Sequence, residues 1–194
     1  MCEYFHLGAT GGFVLLRAFF AAVLLLTLSP AARAAVETVA PEYAVKAAFV
    51  YKFGGFIEWP QTVFETPESP TNLCILGTDP FGAALDKAVT GQRIADHQVQ
   101  VRRMDAVAPK SGCQILFIAG QDEKKIAAAL NAVRGENVLT ITDGAPTPAT
   151  AGIINFVIAD NRVRFEIDDQ AASVNGVVIS SKLLDLARTT KKRS

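Results

Sequence analysis

Hydrophobic and polar positions follow two rhythms along this chain, and the helical one comes first. Between Tyr43 and Trp59, Val45, Ala48, Phe49, Phe53 and Phe56 recur at i, i+3, i+4, i+8 and i+11, which is one face of a helix. The opposite side carries Tyr43, Ala47, Val50 and Tyr51, and before Glu58 the only charges are Lys46 and Lys52. A helix that is apolar nearly all round is one buried on two sides. Pro41 stands just before it, where proline is tolerated. Trp59-Pro60 ends it, because a residue before proline is pushed out of the α region. Gly54 and Gly55 interrupt it, each at about 1 kcal/mol against alanine. Close approach of another backbone or a deliberate bend must offset them. The helix has two readings: a buried core element, or an aromatic surface that meets a partner protein.

Shorter periods follow. Residues 61–70 hold Pro67 and Pro70 and read as a loop. The apolar run 73–77 reads as a buried strand. Asp79-Pro80 predicts a helix start, with aspartate as N-cap and Phe81, Leu85 and Val89 on one face. Val99 and Val101 alternate with Gln98, Gln100 and Arg102, as in a half-buried peripheral strand. Residues 113–119 form the most strand-like stretch. A helix over 123–133 follows, with Ile126, Leu130 and Val133 as its stripe and Gly135 beyond its end. Residues 138–142 form another strand. Then the rhythm changes: 153–158, a turn at Asp160-Asn161, and 163–167 read as a β-hairpin. In it Val163, Phe165 and Ile167 face one way and Arg162, Arg164 and Glu166 the other. Asp168 or Asp169 caps a short helix that Asn175-Gly176 ends, and Ser180 caps a last helix over 182–187. Early strands alternating with helices imply parallel pairing, and the late hairpin implies antiparallel pairing. The expected fold is α/β, a single-domain sandwich with a mixed β-sheet flanked by helices and the opening helix on one face.

The start of the chain changes this picture by removing part of it. Arg17 precedes the apolar run 18–26, Ser29-Pro30 breaks it, and Ala32-Arg33-Ala34 supplies the small residues that a signal peptidase reads. The run is too short to span a membrane. The expected division is a cleaved signal peptide over 1–34, an α/β domain over 35–188 and a frayed basic tail over 189–194. Cleavage removes Arg17, Arg33 and Glu3, so a chain of formal charge zero becomes one with a single net negative charge. That gives no electrostatic case for nucleic acid or for an anionic membrane. The mature chain is expected in the periplasm, with no segment inserted in the membrane. Cys2 leaves with the leader. Cys74 and Cys113 remain in an oxidising compartment, either as a disulfide or as two buried thiols.

The constellations that catalysis needs do not show. His6 lies in the leader, which leaves His97 alone and unable to build a histidine-based metal site. There is no nucleophile elbow and no phosphate-binding glycine loop. Ser180-Ser181-Lys182 is one residue short of a Ser-x-x-Lys motif and reads as helix capping. Asn155, between apolar strand residues, reads as a structural hydrogen-bonding amide. The chain is therefore read as a binding protein, with no catalytic residue, metal or cofactor assigned.

Three motifs carry a resemblance. They are Tyr43, Phe49, Tyr51, Phe53, Phe56 and Trp59-Pro60 in the opening helix; Gly152-Ile153-Ile154-Asn155-Phe156-Val157-Ile158; and Ile179-Ser180-Ser181-Lys182-Leu183-Leu184-Asp185-Leu186-Ala187. In this order the chain resembles the YfiR/HmsC-like family of small periplasmic proteins. Gly54-Gly55 departs from its pattern, where a small and a basic or polar residue are usual. The resemblance implies a repressor that binds the periplasmic sensor domain of a membrane-bound diguanylate cyclase, lowering cyclic di-GMP and biofilm formation. It also implies disulfide stabilisation and a homodimer. Charged residues next to the motifs are the candidates for partner contact: Lys52 and Glu58, then Arg162, Arg164 and Glu166, then Lys182 and Asp185. Opening of Cys74–Cys113 is a candidate release signal. The alternative is a periplasmic small-ligand binding module, with a pocket framed by strand ends.

Overall fold

The computed structural model describes residues 40–193. The expected leader and its cleavage point lie outside them. Five helices are described: α1 (Pro41–Gly54), α2 (Ala83–Val89), α3 (Glu123–Ala132), α4 (Asp169–Val174) and α5 (Ser181–Leu186). The strands are β1 (Ile57–Glu58), β2 (Thr71–Leu76), β3 (Arg93–Ile94), β4 (His97–Met104), β5 (Ile115–Ile118), β6 (Leu139–Asp143), β7 (Ile154–Ala159), β8 (Arg162–Asp168), β9 (Val178–Ile179) and β10 (Thr189–Lys191). None of the described helices is long and apolar enough to cross a membrane.

Eight strands form one mixed sheet in the order β10-β8-β7-β6-β5-β2-β4-β3. β4, β2, β5, β6 and β7 run parallel, and β7 and β8 form the antiparallel hairpin. This is the mixed α/β sheet that the change of rhythm predicted. Asp160 and Asn161 both take positive φ, at 51° and 55°, as the tight hairpin turn demands. β5 is buried along its whole length, as a central strand covered on both faces must be. One face carries Leu73, Ile75, Ile115, Phe117, Ile141 and Phe156 against Ala47, Val50 and Phe53 of α1, Leu85 of α2 and Phe81 just before it. The other carries Cys74, Leu116 and Ile118 against Ile126 and Ala129 of α3 and Val133 just after it.

Several local expectations are corrected. α1 stops at Gly54, where Gly55 N–H turns back onto the Lys52 carbonyl at 3.1 Å and Phe56 N–H onto that of Phe53 at 2.9 Å. Residues 57–58 then leave as β1 and pair with β9, Ile57 opposite Ile179. The buried face of α1 is Lys46, Ala47, Val50, Phe53 and Gly54, whereas Val45 is 46 % exposed. With apolar residues on every side, periodicity could not choose the inward face, and the sheet chose it. Gly54 is offset by side-chain contact: a Cβ there would lie 2.6 Å from Ile94 Cδ1 and 3.0 Å from Ile115 Cδ1. Asp79 does not cap a helix. Its carboxylate accepts Phe81 N–H at 2.7 Å, and α2 begins three residues after Pro80. Ser180 holds the N-cap position of α5 without a hydroxyl cap; its backbone carbonyl accepts Leu183 and Leu184 N–H instead. Residues 189–191, expected to fray, form β10, an edge strand held parallel to β8.

Candidate functional site

The three motifs are far apart in sequence and meet in space. Phe49 and Phe53 of the first lie against Phe156 of the second and against Phe165 of the hairpin. Phe53–Phe165 centroids are 4.9 Å apart at 66°, Phe53–Phe156 5.7 Å and Phe49–Phe165 6.0 Å. Leu183 of the third joins the same core, with Leu184 beside it. Ser180 N–H donates to the Phe56 carbonyl at 2.9 Å, tying the third motif to the first. Gly152 opens the second motif because nothing larger fits: a Cβ would stand 2.8 Å from the Thr140 carbonyl oxygen. Thr142 Oγ1 accepts Gly152 N–H at 2.9 Å, and Thr140 Oγ1 accepts Ile153 N–H at 3.0 Å. Asn155 Oδ1 accepts Thr142 Oγ1–H and Ala145 N–H, both at 3.0 Å, so this buried amide pins the β6–β7 connection. That is the structural role read for it.

Within this convergence sits a buried charge that the periodicity missed. Lys46 has a side chain only 3 % exposed. Its Nζ donates to both oxygens of Asp143 at 2.7 Å and lies 3.5 Å from Glu42 and 4.5 Å above the Tyr43 ring. Burial, with the Asp143 carboxylate beside it, pushes the Tyr43 phenol from 10.0 up to about 12. An ammonium in the core is tolerable only with such a partner. A lysine in the middle of a largely apolar helix and an aspartate closing a strand were the only signals, and nothing in one sequence pairs them. A second charged group, Arg103 with Asp79 and Asp86 at 2.7 and 2.9 Å, ties β4 to the start of α2.

The expected contact residues fall in separate places. Lys52 is exposed in the last turn of α1, Glu58 is exposed on β1, and Lys182 and Asp185 are exposed on α5. β1–β9 pairing sets Glu58 opposite Val178, four residues before Lys182. Arg162, Arg164 and Glu166 alternate to the sheet face opposite α1, since Phe165 and Ile167 enter the α1 core. The seven therefore do not make one patch. Glu166 pairs with Arg188 at 3.5 Å. Lys52, Arg162, Arg164 and Lys182 make no ion pair among the described residues.

Cys74 and Cys113 are joined as a disulfide, with Cα atoms 5.9 Å apart. Both are buried in the α3-side core, so reductant reaches the bond only through local opening around it. His97 stacks on Phe64 at 3.6 Å and meets the Ser69 carbonyl through Nδ1 at 2.6 Å, a packed structural setting. Among the described residues no cluster of three or more His, Cys, Asp or Glu is placed to hold a metal ion. The carboxyl ends of β2 and β5, where chain crossovers turn in opposite directions, frame a crevice of about 740 Å³ lined by Gly77, Asp105, Ile118, Gln121, Lys125 and Ala129.

No curated protein matches the chain. The YfiR/HmsC-like family model matches residues 43–188, from the first aromatic of the opening helix to the residue before β10. All three motifs lie within that span, and the chain belongs to the YfiR/HmsC-like family.

Proposed function

We propose that the exported chain is a periplasmic regulator that binds the periplasmic sensor domain of a membrane-bound diguanylate cyclase and holds it inactive, lowering cyclic di-GMP and biofilm formation. The family match over residues 43–188 carries this reading. The structure supports it by showing charged groups taken up in ion pairs that brace the fold, Lys46–Asp143 above all, while Lys52, Arg162, Arg164 and Lys182 stand exposed and, among the described residues, without an ion pair. Repression is then a population shift: the regulator binds the inactive state of its partner more tightly than the active one. The chain binds as a homodimer, and release comes with loss of the Cys74–Cys113 bond. Capture from membranes with the tagged mature chain tests the reading, and a co-purifying cyclase is the expected result. If reduced and oxidised chains capture it equally, the redox element fails while the regulatory one stands.

One observation favours a second reading, a small-ligand binding module. The crevice at the ends of β2 and β5 is where open α/β sheets bind ligands. A metabolite panel that raises the melting temperature of the pure chain, with no cyclase captured from membranes, would favour it.

A further inference from the structure

The outer edge of the sheet beyond β8 is only half covered. β10 pairs with Glu166 to Asp168 and goes no further. Arg188 N–H donates to the Phe165 carbonyl at 2.8 Å, so Phe165 turns its backbone groups outward. In an antiparallel pair the amide and carbonyl of one residue point the same way and alternate residue by residue. Val163, two residues back, therefore presents its N–H and C=O to the outer side, away from β7. Among the described residues no strand pairs with that half of β8.

Side chains along this open half have a pattern of their own. Arg162 and Arg164 are exposed, two residues apart on one face, and unpaired among the described residues. Val163 faces the other way, half-buried, opposite Ile158, which is 54 % exposed. Leu186, 67 % exposed, lies two residues before the Arg188 amide that binds Phe165. An added strand would thus meet two cations on one face and a short apolar row on the other. A second copy of β8 does not suit: antiparallel self-pairing sets arginine against arginine, and like charges directly opposite are destabilising.

We infer that the open half of β8 is a docking edge for an extended acidic segment of the partner protein. The segment adds to the sheet as a further strand, with carboxylates beside Arg162 and Arg164 and an apolar residue beside Val163. Backbone bonds to Val163 supply affinity and the alternating side chains supply selectivity, as in other strand additions to a sheet edge. The inference rests on the reading that the chain works by gripping a protein.

A labelled synthetic peptide of alternating glutamate and valine, with the lysine-for-glutamate peptide as control, tests this by fluorescence anisotropy on the mature chain. The acidic peptide binds, and binding weakens with salt because exposed charges are screened. Arg162→Glu with Arg164→Glu lowers the affinity by about tenfold or more. Val163→Pro removes the outward donor without touching a bond to β7, and abolishes binding while the chain still melts cooperatively, with only the modest fall in melting temperature that the half-buried valine's lost packing brings. Equal binding of both peptides, binding by either variant as tight as by the unaltered chain, or no binding of the acidic peptide overturns the inference. Capture of the cyclase from membranes keeps the two readings apart. If the Val163→Pro chain captures it as well as the unaltered chain, the edge is not the docking site and the regulatory reading survives. If the unaltered chain captures none, the regulatory reading fails and the peptide result alone decides the edge.

Discussion

Removing one partner of the Lys46–Asp143 pair should cost far more than removing both. Lys46 is 3 % exposed at its side chain and Asp143 18 %. Lys46→Met leaves a carboxylate that is mostly buried but reaches some water, at a cost of about 2–3 kcal/mol, below the usual range for a fully enclosed charge. Asp143→Leu strands an ammonium with little access to water and only Glu42, 3.5 Å away, to face it. That variant should lose about 3–5 kcal/mol. The Lys46→Met/Asp143→Leu double variant fills the same space with apolar atoms against Tyr43 and Phe156 and should fall within about 1 kcal/mol of the parent. Equilibrium urea denaturation of the four mature chains closes the double-mutant cycle, with midpoints compared at a common slope. The expected coupling energy is at least about 4 kcal/mol, the summed single costs less that of the double variant. Single costs that simply add, or single variants as stable as the parent, would show that this pair does not hold α1 to the end of β6.

Three further outcomes follow from the same structure. Replacing both Cys74 and Cys113 by alanine frees a loop closed over a separation of 39 residues; this should cost about 4 kcal/mol and lower the melting temperature by about 8–16 °C, and a drop under about 3 °C by calorimetry would contradict it. Gly152→Ala forces a Cβ onto the Thr140 carbonyl and should cost about 1–3 kcal/mol by urea denaturation, more than Gly54→Ala, which meets only the mobile ends of Ile94 and Ile115; the reverse order would refute the backbone-contact argument. With Tyr43 raised to about 12, stability from keeping its phenol neutral is complete below the unfolded value of 10.0 and is lost as pH climbs through about 12. Ultraviolet titration of the folded chain should show a tyrosine ionising well after its unfolded counterpart, and Tyr43→Phe should remove that late phase.

Much of the architecture was legible because binary pattern and turn chemistry agreed. The hairpin was written in the alternation of 162–167 and in two turn residues able to take positive φ, and α3 in its apolar stripe and in the glycine beyond its end. What stayed hidden needed a third dimension. The inward side of α1 could not be told from its outward side, because both are apolar and the deciding group is a lysine whose counter-charge lies 97 residues on. β3 and β10 are too short for any period, and β10 is held by backbone pairing to β8, with Lys191–Asp168 and Arg193–Asp169 both at 2.9 Å beside it. The same holds for the site. The aromatic, glycine-led and Ser-Ser-Lys motifs were visible one by one, but not that Phe53 and Phe156 touch, nor that Arg162 and Arg164 look away from α1.

On the function proposed above, this chain acts by gripping a cyclase from the periplasmic side. That action is tested most directly by titrating the purified mature chain onto the periplasmic face of membranes that hold the captured cyclase, while reading cyclic di-GMP synthesis on the other face. Synthesis should fall saturably as the chain is added, and the fall should be lost when the sensor domain is deleted. Synthesis that stays constant at saturating chain, or that falls equally without the sensor domain, would contradict it.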